Sequence, residues 1–236
     1  MFPYDAEILA AVQQTPGSVA DVLHTLEAIA GLCGDGDGLK WFNGLYLEVT
    51  RAVAERVAAG GFADLAWMAE LDVHFAALYF DALRVAFSGG TAPGCWRAVF
   101  ERRNRTELTR IQFALAGVNA HINHDLPIAL VRTGQALVHG GTRYRDYTAV
   151  DTTLCALIDR AKVELRVRLL GDVLPPAAVL EDTLAAFSMT AAREAAWNNG
   201  EVLWVLRDCA SLSERTLDML DGMASVIGKT LLTAVV

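Results

Sequence analysis

The residues best equipped for chemistry stand together in the string "NAHINHDLP", residues 119–127. A chain otherwise rich in Ala, Leu and Val places two amides, two imidazoles and a carboxylate there, and then a proline. On a helical wheel at about 100° per residue, Leu115, Val118, Ile122, Leu126 and Ala129 form a continuous apolar stripe. His121 and Asp125 lie one turn apart on one margin of that stripe, and Asn119 and Asn123 lie one turn apart on the other. His124 falls nearly opposite, on the side expected to be wet. A His–Asp pair withdrawn from water is an acid/base unit. The carboxylate fixes the tautomer and supports the imidazolium, leaving the other ring nitrogen for a substrate proton. Asn119 and Asn123 would bind carbonyl or hydroxyl groups. Pro127 has no N–H for the carbonyl of Asn123, so a helix continuing through it is expected to kink beside these side chains and free an acceptor.

These groups need helices to position them, and helical periodicity dominates the chain, with no convincing run of alternating β-branched residues. Helices are expected over 5–14, 18–32, 39–58, 62–87, 94–103, 106–138, 150–170, 176–207 and 212–234, separated by Gly/Pro/Asp-rich breaks such as "TPGS", "GDGDG", "HGGTRYRDY" and "GDVLPP". No break is long enough for an interdomain linker. The expected fold is a single all-α domain over 1–236, a bundle of about eight or nine helices with a polar-lined central pocket.

Three helices carry candidates to complete that pocket. Over 62–87, Met68, Leu71, Phe75, Leu78 and Ala82 form the core stripe. Glu70, His74 and Asp81 line one margin with Trp67, whereas Asp72 and Tyr79 line the other, and both margins cannot face one cavity. The first margin facing His121 and Asp125 would assemble His74, His121, Asp125 and Glu70 or Asp81 as metal ligands. The Glu-x-x-His repeats of carboxylate-bridged bundle sites are missing, and no metal or cofactor is expected. Over 39–58, Phe42, Tyr46, Val49 and Val53 face the core with Asn43 and Thr50 alongside. Over 176–207, Arg193 and Trp197 are one turn apart, so the guanidinium could lie over the indole or bind an acidic ligand.

Composition excludes other classes. A formal charge of −8 and a pI near 5.1 oppose binding to phosphate backbones. The one basic cluster, "ERRNR" at 101–105, reads as a solvated helix end. Only Lys40, Lys162 and Lys229 among the 20 basic residues are lysines, a bias of GC-rich bacterial genomes. "GDGDG" at 34–38 is no calcium loop, because position twelve counted from Asp35 is Tyr46 instead of Glu, and a flexible turn is expected. Cys33, Cys95, Cys155 and Cys209 form no C-x-x-C pair, which fits a reducing cytoplasm. No export signal and no apolar run of about 18 residues is present, so no membrane contact is expected. Nucleotide-cradling, nucleophile-elbow and H-E-x-x-H motifs are absent.

The strings "FNGLYLEVT" (42–50), "LDVHFAALYFDAL" (71–83), "GVNAHINHDLP" (117–127) and "REAAW" (193–197) resemble a bacterial and fungal family of unknown function numbered 5995. The resemblance implies that Asn119, His121, Asn123 and Asp125 are signature positions, and it implies no activity. The residues themselves point to a cofactor-independent enzyme of cyclase, lyase or isomerase type, acting in specialised metabolism on a small, mostly apolar substrate. His121, Asp125, Asn119 and Asn123 would be catalytic. Asn43, Tyr46, Trp67, Asp72, His74, Tyr79, Arg193 and Trp197 would contact substrate. A metal-dependent hydrolase or oxygenase and a non-enzymatic binding or scaffold protein are the alternatives, and a homodimer is compatible with any of them.

Overall fold

The computed structural model describes residues 2–134, 136–152, 154 and 188–234. Helices α1 (Asp5–Ala11), α2 (Val19–Leu32), α3 (Leu39–Ala58), α4 (Leu65–Phe87) and α5 (Gly94–Phe100) lead to α6 (Arg110–Ala120). One π-helical turn, His121–Asp125, joins α6 to α7 (Leu126–Arg132). Then come α8 (142–152), α9 (Met189–Leu206) and α10 (Ala210–Leu231). The fold is all-α, with no strand among the described residues. No described helix is long and apolar enough to cross a membrane.

The continuous rod of α6, the π turn and α7 is the axis of the molecule. Every residue from Ile111 to Ala120 is buried, because α3, α5 and α10 pack around this segment while α4 and α9 flank α7. A helix enclosed on all sides has no wet margin, so its polar residues must find partners inside. Gln112 Nε2 donates to the carbonyls of Leu231 and Thr233, and Asn119 Nδ2 donates to that of Ala224 at 2.7 Å, tying the rod to α10. Gly117 permits the approach of α3, since a Cβ there would stand 2.3 Å from the Phe42 ring.

Local chemistry sets the ends of the helices. Ser18 and Asp64 accept the amide N–H groups of Asp21 and Trp67 as N-caps, and Gln112 accepts the N–H of Thr109. Helix 62–87 therefore starts at Leu65, and the segment expected as 106–138 is helical only from Arg110 to Arg132, followed by Gly134 at φ +82°. The stretch "HGGTRYRDY", expected as a break, instead starts α8, and Asp146 accepts the N–H groups of Ala63 and Asp64 to dock that helix on the start of α4. Most of helix 150–170, the "GDVLPP" break, the beginning of helix 176–207 and Cys155 lie outside the described residues.

Two surface expectations are corrected. Arg103, from the supposedly solvated "ERRNR", is buried; it pairs with Asp37 and Asp5 and lies over the rings of Phe2 and Phe87. The "GDGDG" turn is correspondingly pinned, with fully buried Asp37 accepting from Arg103, Tyr4 Oη and the N–H of Leu39. A buried guanidinium needs carboxylates, and Asp37 of this loop and Asp5 of α1 supply them.

Gly117→Ala drives a methyl group into Phe42, and the expected cost is about 1–3 kcal/mol of overpacking strain. Urea denaturation checks this: the midpoint falls while the slope is unchanged, and an unaltered midpoint would show that α3 and α6 are not in close contact.

Candidate active site

The π turn decides where the polar side chains point. The amide of Leu126 bonds the carbonyl of His121, five residues back, so this turn carries one residue more than an α-helical turn. The widening precedes Pro127, whose ring and missing N–H would strain a regular turn, and the rod continues through it as α7. Every residue in the turn is rotated from its place on a 100° wheel. His124, expected in water, is consequently buried beside Asp125.

Asp125 collects three donors. Its Oδ2 accepts His121 Nδ1–H and Trp96 Nε1–H, each at 2.9 Å, and its Oδ1 accepts His124 Nδ1–H at 2.7 Å. Burial alone would raise its carboxyl, but the bonds from the two imidazoles outweigh that and hold it below the ordinary carboxylate range. An ionised carboxylate only accepts, so both histidines carry their proton on Nδ1 when neutral. For His121 burial is the largest influence and lowers its pKa despite the neighbouring charge. Burial also opposes charging of His124, yet Asp125 and Asp221 together raise it. The first ring is thus kept neutral, with a bare lone pair on Nε2.

That lone pair meets no protein donor. His121 borders a cavity of about 80 Å³ between α3, α4, α8, α9 and the rod, roomy enough for several water molecules. Phe75 stacks on the imidazole at 3.5 Å and Tyr46 meets it edge-on at 4.6 Å, which fixes the ring plane. Most of the wall is apolar, including Leu45, Val49, Val53, Met68, Leu71 and Ile122. Two more buried polar atoms without partners belong to cavity residues, Tyr46 Oη and Asp72 Oδ2. Burial pushes the Asp72 carboxyl up to about 7 and keeps the Tyr46 phenol neutral. Native structures seldom leave buried polar atoms unmatched, and here three surround one void.

Of the margins of α4, the Asp72 margin faces the cavity. His74 sits half-buried 3.6 Å from Glu70, and Asp81 pairs with Arg84, so neither gathers with His121 and Asp125 as a metal-ligand set. The described residues whose ligand atoms do gather are Cys95, His124 and Asp221, behind Asp125 as seen from the cavity. Tyr79 turns away and donates to Asn43 at 3.4 Å, while Asn43 donates to the carbonyl of Leu26. Asn119 and Asn123 bond each other at 2.9 Å and do not border the cavity. Trp67 and Trp197 pack edge-on behind the wall, and the Trp197 indole donates to Glu201. Arg193 does reach the wall, but its guanidinium lies over Tyr147 at 4.1 Å, not over Trp197, and pairs with Asp151. Sequence reasoning missed Trp96 and Tyr147, which sit on separate helices where no spacing signals a contact. It also missed the inward turn of His124, for which Pro127 after a polar cluster was the available sign.

The class defined is an all-α protein whose buried carboxylate orients two histidines, one of them onto an apolar cavity. The chain belongs to the family of unknown function DUF5995, whose model matches residues 19–234, from α2 through the end of α10. No curated protein and no solved structure matches it.

Asp72 makes stability depend on pH. Between its ordinary value of 3.8 and about 7, the folded protein holds a proton that the unfolded chain has lost, so stability falls as pH rises through that window. Asp72→Asn cannot ionise and is expected to exceed the wild type in stability above about pH 7, by up to about 4 kcal/mol. Chemical denaturation at stepped pH should show that advantage vanish toward pH 4; parallel curves would contradict a desolvated carboxyl.

Proposed function

We propose that the protein catalyses proton transfer on a small, mostly apolar molecule without a cofactor, an isomerase, cyclase or lyase chemistry suited to biosynthesis. The observation that carries this reading is the bare Nε2 of His121, buried at the wall of an apolar cavity with Asp72 Oδ2 and Tyr46 Oη as its unmatched polar companions among the described residues there. His121 accepts a proton from an O–H or activated C–H of the substrate, and Asp125 stabilises the imidazolium that results. Asp72, neutral at its raised pKa, delivers a proton elsewhere on the molecule. Tyr46 Oη donates to the carbonyl or developing oxyanion between them. Proton exchange with solvent returns both groups to their starting states.

The substrate class follows from the wall. An apolar body with one carbonyl or hydroxyl matches it, whereas an anionic ligand would find Arg193 as the one arginine or lysine among the described wall residues, already engaged by Asp151. The same walls would suit a carrier that binds such a molecule without altering it. A cytoplasmic location fits the free thiols of Cys33, Cys95 and Cys209, and a homodimer could cover the exposed Met219, Met223 and Val226 of α10.

Deuterium incorporation detects proton transfer before the product is known. Incubated in D₂O with a panel of small ketones, enals and alcohols, the wild type is expected to exchange substrate hydrogens, and His121→Gln to slow this about 10²–10⁴-fold. Exchange should be greatest between the depressed pKa of His121 and the Asp72 value near 7. A compound that binds without exchanging identifies a carrier, and exchange undiminished in His121→Gln overturns the assignment.

A further inference from the structure

We propose that Cys95, His124 and Asp221 form a second site, one that binds a divalent transition-metal ion of the zinc type and is separate from the cavity. The three side chains come from α5, the π turn and α10, and their ligand atoms lie within 4.8 Å of one another. Cys95 and His124 are buried and Asp221 is partly so, which restricts competition from water. A thiolate, an imidazole and a carboxylate together suit zinc or cobalt; calcium and magnesium take oxygen ligands. Two anionic ligands offset the charge of the cation, and three protein ligands leave the fourth tetrahedral position to water or another molecule.

The surroundings prepare each ligand. His124 donates Nδ1–H to Asp125 Oδ1 at 2.7 Å, the carboxylate–histidine arrangement that leaves Nε2 as the nitrogen to take a metal. Asp221 is held by the amides of Gly94 and Cys95, each at 2.8 Å, and each carboxylate oxygen keeps a second lone pair. Gly94 admits this carboxylate, for a Cβ there would stand 3.0 Å from Asp221 Oδ2. Metal binding displaces the Cys95 thiol proton and any proton on His124 Nε2, and it links α10 to α5 and the rod. Asp125 would then serve both faces, orienting His121 toward the cavity and His124 toward the ion.

The test is cobalt titration of metal-stripped full-length protein carrying Cys209→Ser, which removes the exposed thiol without touching the site. One equivalent of Co²⁺ is expected to bind with a sulfur-to-cobalt charge-transfer band and intense tetrahedral visible bands, all displaced by Zn²⁺. Cys95→Ser should abolish the charge-transfer band, and Asp221→Asn should weaken binding by at least about tenfold. Zn²⁺ should also raise the Tm of the parent but not that of Cys95→Ser, a comparison that stands even where a variant folds less well. Cobalt binding without the charge-transfer band, a band that survives Cys95→Ser, or no binding would each overturn the site.

Discussion

One buried carboxylate organises the centre of this protein. Asp125 takes three N–H donors on two oxygens, from His121, His124 and Trp96, and so joins the π turn to α5. A charge with no access to water is stable only when such bonds replace its hydration, and a shortfall of even one donor would cost several kcal/mol. The widened turn ahead of Pro127 is what lets three donors reach this carboxylate from two directions. Regular α-helical geometry already sets His121 one turn from Asp125 but carries residue 124 away, and the additional residue in the π turn brings His124 inward to the same carboxylate.

The cluster sits at a change of environment. On one side lie apolar walls with three unmatched polar atoms, those of His121, Asp72 and Tyr46; on the other lie Cys95 and Asp221, close to the capped start of α5. In a low-dielectric interior hydrogen bonds and charges act strongly, so the neutral form of His121 and the protonated form of Asp72 both follow from desolvation. Phe75 and Tyr46 hold the imidazole plane, and Phe42 is brought near it by the missing side chain of Gly117. Backbone, packing and electrostatics therefore converge on one ring nitrogen.

Much of the architecture was legible in the sequence because helices announce themselves by period and punctuation. The helix over 39–58 follows from its apolar spacing, and the pairing of His121 with Asp125 follows from their one-turn separation. What escaped depends on long-range contact. Nothing local says that Arg103 is buried against Asp37, or that Asn119 bonds to Ala224 instead of bordering the cavity. The wheel also assumed a wet side for a rod that has none, and it assumed constant twist through a turn that Pro127 makes irregular. Asp72 could be placed on a margin of α4, but which margin met the cavity required the packing of α4 against α7.

The orientation of the His121 proton tests the central claim most directly. Nitrogen-15 NMR of histidine-labelled protein near neutral pH, with the His121 signals assigned through His121→Gln, distinguishes the two ring nitrogens and their protonation. The account predicts a neutral ring with hydrogen on Nδ1, facing Asp125, and an unprotonated Nε2. A ring protonated on Nε2, whether as the other tautomer or as the imidazolium, would contradict it.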